Sequence, residues 1–160
     1  MATDSWRNFG DNLVAENKAL AQLGTATLEL TQALVGGKPA DIEAADKKVN
    51  AYRVVFLVAH DRRIQLQTRG FGDLELQKVC VYAPAAMRRP LVALVKDMEI
   101  RGIALQLTVS NNKALILAGL ERLQRTVRVI QESMTEKPGT YKRRGIVPPP
   151  SGSVLVSRKA

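Results

Sequence analysis

The sequence predicts an all-α fold: an antiparallel helical bundle, coiled-coil in character, of three long helices plus one short helix, with a flexible C-terminal tail. Three observations carry this. Apolar residues recur at alternating three- and four-residue steps along most of the chain, the period of one helix face rather than of a strand. The composition is 46% hydrophobic but only 4% aromatic, with Leu, Ala, Gln, Glu, Lys and Arg prominent, and most of these favour helix. Gly and Pro gather at a few points that cut the pattern into helix-length pieces. At 160 residues the chain suits one domain with a useful core and is short for two.

Residues 1–10, MATDSWRNFG, are polar and expected to be frayed or disordered. The helical domain is expected over 11–137. Its first helix starts near Asp11, with Leu13, Leu20, Leu23, Leu30 and Leu34 at heptad-type spacings and Thr27 in the missing position. VGGKPAD at 35–41 ends it: two glycines suit a C-cap, and Pro39 suits the first turn of a second helix. That helix, from about Pro39 to Thr68, keeps the spacing through Ile42, Ala45, Val49, Tyr52, Phe56, Ala59 and Leu66, broken only by Arg63. The short connection makes the two antiparallel, stripe to stripe. The stretch YRVVFLVAH has strand-like composition, but its flanks are helical and helix is the reading.

RGFGD at 69–73 is a breaker. Asp73 is the expected N-cap of a short helix from Leu74 to about Tyr82. APAAMRRP at 83–90 ends that helix, and Pro90 is expected to open the longest one, to about Glu136, roughly 70 Å if unbroken. Leu91, Val95, Met98, Gly102, Leu105 and Val109 share one face, and Ile116, Leu120, Leu123, Val127, Ile130 and Met134 continue the stripe after a one-position slip near the pair Asn111–Asn112. Asparagine is a mediocre helix former because its amide competes for nearby backbone groups, so the pair calls for a reason. From 138 onward the chain reads as a flexible, basic, Pro-rich tail whose three successive prolines favour an extended segment.

The net charge is +9, and its distribution matters. Lys142, Arg143, Arg144, Arg158 and Lys159 stand in the tail with no acid among them. Such a tail meets nucleic acid, an acidic protein surface or an anionic membrane, or only keeps the chain soluble. One cysteine, Cys80, rules out an intrachain disulfide and fits a reducing cytosol. The N-terminus has no signal-peptide pattern and no apolar run approaches the roughly 18 residues of a membrane span. A cytoplasmic location without membrane insertion is therefore expected.

The residues offer little chemistry. One Cys and one His make no standard zinc site, and His60 and Asp61 point to different helix faces. GFGDLE lacks the preceding strand and the spacing of a phosphate-binding loop. No catalytic residue, metal or cofactor is expected, and the chain does not read as an enzyme. YKRRG could hold a phosphate backbone electrostatically. Acids are interspersed through every helix, however, so nucleic acid is the lesser partner.

In order and spacing the chain resembles the FlgN family of flagellar type III export chaperones over about 12–145. The resemblance rests on ENKALAQLGTATLELTQALVGGKPADIEAADKK, on GDLELQKVCVYAPAAMRRPL, on the Asn-Asn step in TVSNNKALILAGLERLQRTVRVI, and on KPGTYKRRG just past the last helix. Arg144 stands where the family ending often has an acid. The resemblance implies a cytoplasmic chaperone that binds C-terminal helical segments of hook–filament junction proteins, also called hook-associated proteins. It would deliver them to the export gate or export ATPase complex. The alternative is a helical adaptor that binds nucleic acid or another protein through its basic tail.

Under this reading the asparagines mark a step between two functions of the last helix. Amides fix register across a helical seam at a cost in stability. The half before the step is expected in the bundle, and Asn111, Asn112, Ile116, Leu120, Leu123, Val127, Ile130 and Met134 form the client surface. The competing reading buries both halves and leaves Asn111 facing solvent. A spare stripe can also pair with its own copy as a homodimer. Tyr141, which the resemblance implicates in docking to the export gate, is expected to act with Lys142, Arg143 and Arg144 against an acidic surface.

Overall fold

A computed structural model describes residues 3–135. Among these the chain forms four helices and no strand: α1 (Thr3–Gly36), α2 (Pro39–Phe71), α3 (Leu76–Val81) and α4 (Ala85–Thr135). The chain divides into two units, Met1–Glu121 and Arg122–Ala160.

In the first unit α1 is the central element. Its stripe begins earlier than the composition of residues 1–10 suggests. Trp6 and Phe9 are buried and continue the three-four spacing of Leu13, Leu20 and Leu23 back toward the terminus. The expectation of a disordered segment over 1–10 is thus corrected for the described residues 3–10, which are helical. Their two large aromatics outweigh the polar neighbours, since each buries area on the order of 200 Å². Trp6, Phe9 and Phe71 of α2 form an aromatic trio with ring centroids 4.7–6.1 Å apart, Phe9 edge-on to the other two and Trp6 tilted against Phe71. Beside it pack Leu13, Val79, Cys80, Ala83, Leu91 and Val95. The main core therefore sits where the start of α1, the end of α2, α3 and the start of α4 meet.

Gly37, at φ +67°, ends α1, its N–H donating to the Ala33 carbonyl at 3.0 Å. Pro39 opens α2 as expected. The two helices run antiparallel. Lys48 pairs with Glu29 at 2.5 Å, Arg63 reaches Glu16, and Phe71 reaches Trp6, so positions rise on one helix as they fall on the other. The half-buried positions of α2 include Ile42, Ala45, Val49, Tyr52, Phe56, Ala59 and Leu66, the stripe read from the sequence. Val54, Val55 and Val58 are exposed on the same helix. β-branched residues there weaken helix propensity, so packing of the stripe on α1 holds α2 helical.

α2 ends at Gly72, φ +66° and ψ −142°, a conformation essentially reserved for glycine. α3 starts two residues later than expected. Glu75, not Asp73, is its N-cap, and no side chain caps it. Six residues cannot sustain a helix alone; α3 is held by the burial of Val79 and Cys80. Helix α4 starts at Ala85, earlier than expected, because the Pro84 carbonyl accepts from the Met87 and Arg88 N–H groups at 2.8 and 2.9 Å. Pro90 consequently lies inside the helix, where it leaves the Ala86 carbonyl without its usual donor. α4 runs back along α1 in parallel: Gly10 faces Leu91, Asn17 pairs with Asp97, and Thr27 and Thr31 meet Asn112.

Candidate functional site

The α4 stripe has two fates. Leu91 and Val95 are buried, and Met98, Gly102 and Leu105 are half-buried. The seam then runs through Thr108 rather than the expected Val109, which is exposed, because α1 passes on the Thr108 side. Asn112 closes it. This side chain is 4% exposed. Its Oδ1 accepts from the Thr31 hydroxyl at 2.7 Å, and its Nδ2 donates to the Thr27 carbonyl at 3.1 Å. The Thr27 carbonyl, 3.1 Å from Thr31 Oγ1, is the alternative acceptor for the same hydroxyl proton. A buried amide with both halves bonded is matched to one partner position. Asn112 therefore fixes the register of α4 on α1. Asn111, its neighbour, is exposed.

The expectation that Asn112 belongs to the client surface is corrected on this ground: both polar halves are already used inside the bundle. Among the described residues no residue of α4 beyond Asn112 is buried. In the first unit this leaves Ile116 and Leu120 exposed, and in the second Leu123, Val127, Ile130 and Met134, with exposures between 44% and 80%. The latter four are spaced to share one face. Gln124, Thr126, Gln131 and Ser133 flank that face without charge, while Arg122, Arg125 and Arg128 lie away from it. Tyr141, Lys142, Arg143 and Arg144 lie outside the described residues.

A polar cluster that the sequence reading missed lies inside the first unit. The Glu16 side chain is 2% exposed. Its carboxylate accepts from Arg63 Nε at 2.7 Å and Nη2 at 3.2 Å, and His60 Nδ1 lies 2.6 Å from it. Arg63 Nη1 donates to Gln67 Oε1 at 2.8 Å. Both ends are anchored, as a buried ion pair requires. The signal was present. Glu16 stands three residues after Leu13 and four before Leu20, and Arg63 interrupts the α2 stripe. Two opposite charges at facing stripe positions of antiparallel helices mark one register.

Elsewhere, Arg101 and then Asn17 hydrogen-bond the Asp97 carboxylate and hold its pKa below the usual value. Burial raises the pKa of the Cys80 thiol, which disfavours the reactive thiolate. The Glu29 carboxylate hydrogen-bonded to Lys48 raises that ammonium's pKa. Among the described residues no group of three or more His, Cys, Asp or Glu is placed to hold a metal ion, and no helix is long and apolar enough to cross a membrane. Comparison of the chain with protein-family models, curated proteins and solved structures gives no match.

Proposed function

We propose that this chain is a cytoplasmic export chaperone of the FlgN-like kind, without enzymatic activity. It binds the C-terminal helical segments of hook-associated proteins and delivers them to the type III export apparatus. The observation that carries the reading is the exposed apolar stripe of α4 beyond Asn112, where Ile116, Leu120, Leu123, Val127, Ile130 and Met134 are accessible. The family-like order of motifs, from ENKAL to KPGTYKRRG, supports it. An unpaired helical terminus of a coiled-coil protein exposes a stripe of the same kind, and laying one stripe on the other protects both.

The magnitudes suit reversible capture. Each of the six residues is roughly half exposed, so covering it contributes on the order of 1 kcal/mol. The client's matching stripe contributes about as much again, and only the surplus of both over the lost translational and rotational freedom, about 4–15 kcal/mol, appears as affinity, which keeps the client releasable. Under the same reading Tyr141 docks at the export gate, with Lys142, Arg143 and Arg144 speeding encounter with an acidic surface.

Co-expression with a hook–filament junction protein, followed by size exclusion, tests the reading. Co-elution is expected, and its loss in the Leu123→Asp/Val127→Asp variant is expected. Salt-sensitive binding to unrelated DNA with no client co-elution would point instead to the tail-mediated adaptor.

A further inference from the structure

A cleft of about 520 Å³ opens in the first unit between the four helices, within the size range of ordinary ligand sites. Its floor is apolar, made by Leu20, Phe56, Leu76, Val95 and Met98. The polar lining is Glu16, His60, Glu75, Gln77 and Glu99. In a chain of net charge +9, no lysine or arginine lines this space. Glu16 is already neutralised by Arg63 behind it. Glu75 and Glu99 are exposed at the rim, the first 3.2 Å from Lys78 and the second accepting from Gln77.

An apolar floor beneath acidic rim groups matches one chemistry: an aliphatic body ending in a cation. We infer that the cleft binds an arginine or lysine side chain carried on a helical segment of a partner protein. The stem lies over Leu20, Phe56 and Met98, as such stems do on apolar surfaces, and the charged head meets Glu75 and Glu99. A free small cation gains too little here, because an exposed ion pair contributes only about 0.2–1 kcal/mol. A side chain on a helix shares the cost of association with its neighbours one turn away. The cleft site is separate from the exposed α4 stripe beyond Asn112 and does not rest on it.

The test uses the full chain and two fluorescein-labelled peptides of about 18 residues, long enough to hold a helix. Both are alanine-based with one Leu-Ile stripe. They differ in one residue beside the stripe, Lys in the first and Gln in the second. Anisotropy titration is expected to show the Lys peptide binding about three- to fivefold more tightly. The preference disappears in the Glu75→Gln/Glu99→Gln variant, whose altered groups are exposed, and shrinks with added salt. It persists in the Leu123→Asp/Val127→Asp variant, so failure of the α4 surface and failure of the cleft read out separately. Equal affinities for the two peptides, binding of neither, or a preference that survives loss of Glu75 and Glu99 overturns the inference. So does loss of the preference in the α4 variant, or displacement of the Lys peptide by an equal concentration of free n-hexylamine, which would assign the cleft to a small amine.

Discussion

Replacing Arg63 by methionine tests whether the Glu16–Arg63 pair is a register mark or an idle surface contact. The substitution keeps an unbranched apolar stem and removes the guanidinium that bonds the Glu16 carboxylate at 2.7 and 3.2 Å. Glu16, with a side chain 2% exposed, is left as a buried charge. Removing one member of such a pair costs about 3–5 kcal/mol. His60 remains 2.6 Å from the carboxylate and is itself 33% exposed, so one partner and some water access survive. That places the expected loss near the lower end, about 3 kcal/mol. The double variant Glu16→Leu/Arg63→Met removes both charges, and replacing a whole buried pair by apolar groups is often neutral or stabilising. It is expected within about 1 kcal/mol of the parent protein, which makes the two substitutions strongly non-additive. Urea denaturation followed by far-ultraviolet circular dichroism measures each, with equal m-values licensing the comparison. If the single variant unfolds within about 1 kcal/mol of the parent, the pair acts as an exposed one would and the reasoning fails. It fails equally if the double variant is as unstable as the single.

Asn112→Ala should destabilise by about 1–2 kcal/mol, since the Thr27 carbonyl loses a buried donor while Thr31 keeps that carbonyl as a partner. Asn111→Ala, at an exposed position, should stay within about 0.5 kcal/mol in the same urea assay. Cys80 is buried with a raised pKa, so alkylation followed by mass spectrometry should modify it slowly in the native protein and rapidly in urea. Asp97 has a depressed folded pKa. Its contribution to stability is therefore present above the unfolded value and lost as pH falls through the folded one. The gap in urea midpoint between the parent and Asp97→Asn should close as pH drops below about 4.

Helix order, the Gly-Gly and Pro39 connection, and the α2 stripe were legible because each depends on local spacing and turn chemistry. The helical N-terminus departs from expectation for a specific reason. MATDSWRNFG has a polar majority, which points to fraying, although Trp6 and Phe9 keep the three-four period of Leu13 and Leu20. Pro90 misled in a different way: proline favours a first turn, but the Pro84 carbonyl starts α4 earlier, and surrounding packing tolerates the lost bond. Thr108 and Val109 lie on either side of the α4 seam, so only the approach of α1 decides which is covered. The apolar stripe of α4 beyond Asn112 was visible as a pattern, yet a pattern does not say what covers it. The cleft was invisible because its walls come from four helices remote in sequence.

One rule connects these details. Within the bundle, α1 carries a polar mark at a stripe position on each of its two long seams. Glu16 meets Arg63 between α1 and α2, and Thr27 with Thr31 meets Asn112 between α1 and α4. Such marks trade stability for a single register, because any slip strands a buried polar group. From Ile116 to Met134 the stripe positions are all apolar, and near its end the flanks are uncharged. A seam without marks has no built-in penalty for a shifted or different partner. It attracts by area alone, which on the proposed reading is what a chaperone needs: the client is held through a feature common to helical termini and released without breaking a buried polar network.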